Sequence, residues 1–482
     1  MNTQLLIDNQ DRPASGGATF ERRNPLSGEV ATVAAAATIA DARAAADSAH
    51  AAFPQWSATG PSERRDLLLR AAEQLQRRQA DFAAAMLGET GGTGPWAGFN
   101  VMLAANMLRE AASLTGRASG AVVPSDRPGS IVMAVRQPAG VVLGIAPWNA
   151  PVILGVRAVA TPLACGNTVV LKASEQCPHT HRLIGEGLRE AGFPPGVMNV
   201  VTNAPADAAA IVDSLIAHPA IRRINFTGST RVGRIIAEAA AHHLKPVLLE
   251  LGGKAPLIVL DDADLDAAVS AAVFGAFMNQ GQICMSTERI VIHESIADAF
   301  VTKLVARARA LPAGDPRRGP VVLGPLIGRD AAQRFETLLD EAIGQGATAA
   351  LRGAVEGTIA AASVLDRVNP RMRIYKEESF GPVACVIRVQ DDAEAIAVAN
   401  DTEYGLSSAI FSRNVERALN MARRIDAGMC HINGPTVHDE AQMPFGGMKA
   451  SGYGRFGGDA GIAEFTDLRT ITIATSPVHY PF

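Results

Sequence analysis

Between residues 140 and 241 the sequence alternates short apolar strands with helices, and this alternation restricts the folds open to the chain. Strands are predicted at 141–146, 168–172, 197–201 and 221–226, with helices at 152–163, 181–190, 206–217 and 232–241. Strands separated by helices of this length form a parallel sheet with helices on both faces. Such sheets bind ligands at the carboxyl ends of their strands. The sequence therefore predicts an α/β fold with a ligand site at one sheet edge.

A second α/β region begins near Glu250, where strands are predicted at 256–260 and 289–292 around a helix at 265–278. Two other segments differ from both regions. Residues 116–139 are rich in turns and lead into a strand, and residues 465–473 alternate like a strand. We expect these segments to leave the domain body and to contact another subunit.

The composition excludes several classes of protein. The 482 residues are too many for one core, so two or three domains are expected. A net charge of −4 provides no basic surface for nucleic acid. The five cysteines are scattered, which argues against a disulfide framework, and no apolar run is long enough to span a membrane. With no signal peptide visible, we expect a cytoplasmic protein.

Three polar groups in different parts of the chain are suited to thiol chemistry. Cys284 ends the small-residue run 277–284, Glu250 precedes a double glycine, and Asn149 lies between two prolines. A thiol, a carboxylate and an amide are the nucleophile, base and oxyanion donor that acyl chemistry needs. A lone cysteine is more often a buried small side chain, so Cys284 by itself does not establish a catalytic site.

Residues 226–233 follow an apolar strand and open a helix, where backbone N–H groups can bind a phosphate. An ordinary strand-to-helix turn fits the same pattern. A GxGxxG match at 452–457 has no strand before it and is rejected as a dinucleotide site. The Cys177–His181 cluster lacks a second ligand pair, so no metal site is expected.

Six motifs in order along the chain resemble the aldehyde dehydrogenase superfamily. They occupy residues 147–149, 226–229, 250–254, 281–284, 378–382 and 444–447. The resemblance implies a Rossmann-like NAD-binding domain, an α/β catalytic domain and a small β oligomerisation arm in a homodimer or homotetramer. The corresponding residues are 1–117 and 140–249 for the first, 250–435 for the second, and 118–139 and 460–482 for the arm.

The resemblance also implies roles for individual residues. Cys284 attacks the aldehyde, Asn149 and the Cys284 backbone N–H hold the oxyanion, and Glu250 activates the water that hydrolyses the thioester. Residues implied to bind the cofactor are Trp148, Lys172, Glu175, Gly228, Ser229, Gly233, Glu378 and Phe380. A carboxylate at position 175 beside the adenosine ribose repels a 2′-phosphate, so NAD is favoured, with some use of NADP left open.

The likeness extends to bacterial vanillin and salicylaldehyde dehydrogenases, through residues 150–160, 284–289 and 431–440. An aromatic aldehyde is therefore the expected substrate. The residues suited to its pocket are Trp96, Phe99, Arg157, Phe274, Met285 and Phe445. Aromatic side chains stack on a ring, a methionine adapts to it and an arginine can face a phenolic oxygen. Each aromatic residue fits the protein core equally well, and Ala97 removes a hydroxyl from the pocket mouth.

Other functions compatible with the same sequence are a salicylaldehyde or benzaldehyde dehydrogenase of broad range and a CoA-acylating dehydrogenase. The second is disfavoured because a general base such as Glu250 has little use when CoA resolves the thioester. A non-catalytic structural protein on this fold is disfavoured because Cys284, Glu250 and Asn149 are all present.

Overall fold

The structure is a computed structural model that describes all residues, 1–482. The strands are β1 (Asn2–Thr3), β2 (Leu5–Ile7), β3 (Gln10–Arg12), β4 (Thr19–Arg23), β5 (Val30–Ala35), β6 (Ala121–Val123), β7 (Ser130–Pro138), β8 (Val141–Ile145), β9 (Thr168–Lys172), β10 (Met198–Val201), β11 (Ile221–Thr227), β12 (Val247–Glu250), β13 (Ala255–Val259), β14 (Thr287–His293), β15 (Thr348–Leu351), β16 (Val355–Glu356), β17 (Ile359–Ala360), β18 (Ser363–Asp366), β19 (Val383–Val389), β20 (Ser407–Phe411), β21 (Met429–Ile432), β22 (Gly452–Tyr453) and β23 (Thr466–Ala474).

The α-helices are α1 (Ile39–Ala58), α2 (Pro61–Arg77), α3 (Gln79–Thr90), α4 (Gly94–Leu114), α5 (Pro151–Ala164), α6 (Pro178–Glu190), α7 (Ala208–Ala217), α8 (Thr230–His242), α9 (Leu265–Phe277), α10 (Glu294–Arg309), α11 (Arg329–Gly344), α12 (Arg373–Lys376), α13 (Asp392–Asn400), α14 (Val415–Ala422) and α15 (Gly458–Glu464). No helix is long and apolar enough to cross a membrane.

The first sheet has eight strands in the order β22-β12-β11-β8-β9-β10-β2-β3, and its five central strands are parallel. The alternation predicted between residues 140 and 241 is confirmed, with every element boundary within three residues of its predicted place. In chain order the sheet grows from β8 through β9 to β10 and then returns to β11 on the other side of β8. The crevice at the carboxyl ends of β8 and β11 is therefore the ligand position expected for this topology.

The second sheet has seven strands in the order β15-β18-β19-β14-β13-β20-β21, all parallel except β15. Four residues, 251–254, connect the end of β12 in the first sheet to the start of β13 in the second. This short connection brings the carboxyl edge of the first sheet next to the amino edge of the second.

The two segments expected to leave the domain body pair with each other. Strand β7 is central in a three-stranded antiparallel sheet, with β6 on one side and β23 on the other. The register between β7 and β23 runs without a break from the Pro138–Thr466 pair to the Ser130–Ala474 pair. Large apolar side chains remain exposed on this sheet, including Val122 at 76% and Leu468 at 62%.

The sequence did not predict the short strand that pairs with the end of β12. Gly452 and Tyr453 form the short strand β22, which pairs with the end of β12. A Cβ at Gly452 would lie 2.1 Å from the Leu249 carbonyl oxygen, so this approach requires glycine. The preceding residue, Ser451, donates its hydroxyl to the Gly252 carbonyl at 2.6 Å. These contacts hold in place the chain segment that carries Glu250.

Candidate active site

The carboxyl ends of the central strands lie side by side. Ile145 at the end of β8 is opposite Lys172 at the end of β9, and Thr227 of β11 is opposite Glu250 of β12. The loops that follow these strands therefore meet at one edge of the sheet. They contain five residues singled out in the sequence, namely Trp148, Asn149, Glu175, Gly228 and Ser229.

Cys284 follows a turn of unusual backbone conformation. Asn279, Gln280 and Gly281 all have positive φ angles, of 47°, 56° and 70°. The left-handed region is costly for residues with a Cβ and is found at functional sites. A Cβ at Gly253 would lie 2.2 Å from the Cys284 carbonyl oxygen, so the double glycine after Glu250 lets the two segments approach. Cys284 is partly buried, and its backbone N–H donates to no acceptor.

Asn149 is oriented from two sides. Its side-chain Nδ2 donates to the Gln282 carbonyl at 3.0 Å, which leaves its second N–H free. Its backbone carbonyl accepts from Trp96 Nε1 and from Asn279 Nδ2, each at 3.0 Å. Trp96 was predicted to contact substrate, and here its indole N–H also anchors Asn149. Two free donors, the second amide N–H of Asn149 and the Cys284 backbone N–H, thus lie in adjacent segments.

Glu250 is fully buried, and neither of its carboxylate oxygens has a hydrogen-bond partner. Burial raises the pKa of Glu250 to about 7, while the Cys284 thiol and the Arg157 guanidinium oppose the rise. Burial also raises the pKa of the Cys284 thiol well above its usual range, and the Glu250 carboxylate adds to that effect. A buried carboxyl group with a pKa near neutrality is suited to general base catalysis.

A cavity of about 240 Å³ joins these groups to the predicted cofactor residues. Its lining includes Asn149, Glu250 and Cys284 together with Trp148, Gly228, Ser229, Glu378 and Phe380. The Phe380 ring meets Trp148 edge-on at a centroid distance of 5.8 Å. Lys172 and Glu175 do not line the cavity, and neither does Gly233. Gly233 lies buried in α8, where a Cβ would be 2.5 Å from Leu251.

Lys172 and Glu175 form an ion pair at the end of β9, with Lys172 only 5% exposed. Glu175 also accepts from Asn203 Nδ2 at 3.0 Å. Although burial opposes ionisation, the Lys172 ammonium group lowers the pKa of Glu175. A partly buried, ionised carboxylate at a strand end can accept from ribose hydroxyls, so the residues at this edge fit a dinucleotide.

The residues predicted to contact the substrate lie in different surroundings. Trp96, Met285 and Phe445 are buried in one apolar cluster, against which Cys284 and Phe99 also pack. Phe99 stacks on Trp96 at a centroid distance of 5.7 Å. Phe274 belongs to neither that cluster nor the cavity; it is 44% exposed on α9. The structure does not bring Phe274 to Cys284, and its contact with substrate stays a prediction.

Arg157 lies on α5 with its guanidinium 4.1 Å from the centre of the Phe445 ring. It forms an ion pair with Asp439, and both side chains are at most 8% exposed. The two residues, with Phe445, line a narrow cavity of about 20 Å³, which has room for about one water-sized group. Asp439 was not assigned a role from the sequence, because its partner lies on a helix 282 residues earlier.

Comparison with known proteins agrees with this geometry. The Aldehyde dehydrogenase family matches residues 12–471. The chain belongs to the aldehyde dehydrogenase family. It is 60% identical to vanillin dehydrogenase of Pseudomonas fluorescens over 481 residues, which is 100% of both chains. It is 50% identical to salicylaldehyde dehydrogenase of Pseudomonas putida over 483 residues, again 100% of both.

The fold comparison leads to the same group of aldehyde dehydrogenases. The crystal structure of a salicylaldehyde dehydrogenase from Pseudomonas putida G7 complexed with salicylaldehyde matches with a TM-score of 0.98 and 50% sequence identity, covering 100% of both chains. The α/β fold expected from the sequence is therefore confirmed.

Some potential metal ligands of this aldehyde dehydrogenase have other partners. His179 Nδ1 is 2.8 Å from the Thr3 hydroxyl, whereas the His181 ring lies within 3.7 Å of the Cys177 sulfur. No group of three or more His, Cys, Asp or Glu side chains is arranged to hold a metal ion.

Proposed function

We propose that this aldehyde dehydrogenase oxidises an aromatic aldehyde of the vanillin type to its carboxylic acid, with NAD as the hydride acceptor. The observation that carries the proposal is the meeting of Cys284, Glu250 and Asn149, from three distant segments, in one cavity. The 60% identity to a vanillin dehydrogenase over the full chain supports an aromatic substrate.

Cys284 needs a base before it can attack. Because its pKa is raised, the thiol holds its proton at neutral pH. Glu250, with a pKa of about 7, can accept that proton in the same pH range. The sulfur then forms a bond to the aldehyde carbon, and the C=O electron pair moves to the oxygen, giving a thiohemiacetal.

The second amide N–H of Asn149 and the backbone N–H of Cys284 stabilise the oxyanion. Each such donor contributes about 3–4 kcal/mol to the transition state. Trp96 and Asn279 hold the Asn149 backbone, so the donor does not have to reorganise when charge develops.

A nicotinamide held by Trp148, Glu378 and Phe380 would supply the hydride acceptor that takes the thiohemiacetal to a thioester on Cys284. Glu250 first releases to solvent the proton that it took from Cys284, and it then removes a proton from water, which attacks the thioester carbon. The carbon–sulfur bond breaks, the acid leaves, and the sulfur takes a proton to regenerate the thiol. The Glu250 oxygens are available for this step, since the Cys284 thiol is the only side chain that acts on them by hydrogen bonding.

Different residues along the sheet edge would hold different parts of the cofactor. Gly228 and Ser229, at the start of α8, would hold the pyrophosphate. Glu378, Phe380 and Trp148 would hold the nicotinamide half in the cavity. Glu175 would accept from the adenosine ribose, and its negative charge disfavours a 2′-phosphate, while the adjacent Lys172 permits some use of NADP.

Trp96, Met285 and Phe445 do not line the 240 Å³ cavity, but Cys284 packs against the apolar cluster that contains them, so the aromatic ring of the substrate would lie on that side of Cys284. The Arg157–Asp439 pair provides a donor and an acceptor beside Phe445. Because the two charges neutralise each other, the pair suits a neutral ring hydroxyl better than an anion. The cavity next to it has room for about one such oxygen.

We also infer that the protein is a homodimer or homotetramer. The sheet of β6, β7 and β23 exposes apolar side chains on both outer strands, including Val122 and Leu468. Exposed apolar surface on a projecting sheet favours burial against a second copy of the chain.

The test is a panel of kcat/KM values for vanillin, salicylaldehyde, benzaldehyde and hexanal, each with NAD and with NADP. The proposal expects the highest value for vanillin with NAD. A preference for salicylaldehyde or benzaldehyde would retain the aromatic class but change the substrate. A higher kcat/KM for hexanal would overturn the aromatic assignment. Formation of acyl-CoA when CoA is added would show that CoA, and not water, resolves the thioester.

A further inference from the structure

Glu288, four residues after Cys284, carries a buried carboxylate with contacts to two other segments. Its Oε2 pairs with Lys254 Nζ at 2.7 Å, and the two side chains are 3% and 0% exposed. Its Oε1 accepts from the Ser379 backbone N–H at 2.9 Å, from the Ser379 hydroxyl at 3.0 Å and from the Phe380 N–H at 3.3 Å. Buried charges persist only when they are paired in this way.

The three segments joined by Glu288 all line the 240 Å³ cavity. Lys254 ends the turn that starts at Glu250, and Glu288 itself follows the nucleophile. The Gly253 N–H donates to Glu378 Oε1 at 3.1 Å, which links the base turn to the 378–380 turn a second time. One carboxylate thus connects the segments of the base, the nucleophile and the predicted nicotinamide site.

The 378–380 turn needs such support. Phe380 has a φ of 49°, which is unfavourable for an aromatic residue, and its N–H donates to Glu288. Without that acceptor, the N–H groups of Ser379 and Phe380 would lose a partner in a dry environment. The Glu288 charge also acts on Glu378: burial raises the pKa of Glu378 to about 8, and the Glu288 carboxylate is the next cause of the rise.

We propose that Glu288 is a positioning residue that holds Glu378 and Phe380 in the orientation needed for the nicotinamide half of the cofactor. This inference rests on the proposed use of a nicotinamide cofactor. It assigns Glu288 no contact with substrate or cofactor, because its oxygens are occupied by Lys254, Ser379 and Phe380.

Two double variants separate the hydrogen-bond role of Glu288 from its charge. Lys254→Met/Glu288→Gln removes both charges but keeps an acceptor oxygen for Ser379 and Phe380. Lys254→Met/Glu288→Met also removes both charges and takes away the acceptor. Neither variant leaves an unpaired buried ion, and replacement of a buried ion pair by apolar groups of similar volume is often tolerated. Thermal unfolding checks that both variants fold.

The readout is NADH binding, followed by fluorescence without aldehyde. The variant with glutamine should bind NADH within about threefold of the wild type, whereas the variant with two methionines should bind about tenfold or more weakly, since two backbone donors lose their acceptor. The KM for aldehyde should change little in either variant. Equal NADH affinities in the two variants would overturn the inference.

A second measurement covers the case in which the methionine variant does not fold. In Lys254→Met/Glu288→Gln the pH dependence of NADH binding should shift downward, because the Glu288 charge that raises the pKa of Glu378 has a larger effect than the Lys254 charge that lowers it, and both are removed. An unchanged pH profile would contradict the coupling. If the wild type itself binds neither NADH nor NADPH, the proposed function fails together with this inference. If the wild type binds NADH and the two double variants bind it with equal affinity, only this inference fails.

Discussion

Glu250 and Cys284 line one cavity although 33 residues separate them in the chain, and the Glu250 carboxylate has no hydrogen-bond partner of its own. Folding therefore places the proposed base beside a thiol whose pKa is raised. A carboxylate left unpaired in a buried site is costly, which indicates that its position serves the reaction and not stability.

Glu250→Gln should slow both the attack by Cys284 and the hydrolysis of the thioester, because Glu250 is the proposed base in both steps. After rapid mixing with vanillin and NAD, the first turnover and the steady-state formation of NADH should each slow roughly 10²–10⁴-fold. Cys284→Ala should give no NADH at all while still binding NADH. A full burst of NADH at the wild-type rate in Glu250→Gln would show that Cys284 is activated without Glu250.

The pH dependence of turnover should reflect Glu250. Its pKa of about 7 means that the base is protonated and inactive at low pH. The rate of thioester hydrolysis is therefore expected to rise with pH through about 7 and then level off. Steady-state rates from pH 5.5 to 9 with saturating substrates measure this rise. If the midpoint of the rise lies near pH 4.5, the buried carboxyl group is not the group that titrates.

Glu250→Gln should also change stability in a pH-dependent way. In the unfolded chain the Glu250 side chain ionises near its ordinary pKa of 4.5, whereas in the folded protein it keeps its proton to about pH 7. Between these values the folded state binds more protons, so wild-type stability falls as pH rises. The glutamine variant escapes this loss and should be more stable above pH 7 by about 3 kcal/mol. Denaturant titrations at pH 5 and pH 8 measure the difference, and an equal gain at both would contradict it.

Asp439→Asn should destabilise the protein by about 3–5 kcal/mol, because it leaves Arg157 buried without its partner. The double variant Arg157→Met/Asp439→Asn should recover most of that loss. In the double variant the kcat/KM for vanillin relative to benzaldehyde is expected to fall about tenfold, since the ring hydroxyl loses its polar partners. An unchanged ratio would exclude the pair from substrate recognition.

Leu468→Asp should reduce the oligomeric mass. Leu468 is 62% exposed on β23, and a charge there opposes burial against a second subunit. Light scattering after size-exclusion chromatography measures the mass. Leu244→Asp is the matched control, because Leu244 is 91% exposed but lies outside the β6–β7–β23 sheet. A loss of mass in the control alone would place the interface elsewhere.

The elements that the sequence predicted well are those defined by local patterns. The strands and helices from β8 to α8 follow from alternating apolar runs and punctuating glycines and prolines, which act over a few residues. The strand β22 escaped prediction because two residues carry no periodicity, and they become a strand only through pairing with Leu249 and Glu250.

The proposed catalytic groups were predicted from their chemistry and from motif order, but the partners of other buried charges were not. Glu288 pairs with a lysine 34 residues earlier, and Arg157 with an aspartate 282 residues later. Sequence spacing carries no information about such pairs. Closeness in sequence can also mislead. Phe274 lies near Cys284 in the chain, but its side chain is 44% exposed on its helix.

The sequence by itself thus determined the α/β class and the strand ends at which a ligand site is expected, because residue type and local period decide these. The proposed roles of Cys284, Glu250 and Asn149 came from the resemblance to the aldehyde dehydrogenase superfamily. Only the tertiary structure decided the unpaired state of Glu250, the Arg157–Asp439 pair and the Glu288 contacts. These depend on burial and on the approach of distant segments, and burial is what raises the pKa of Glu250 to about 7.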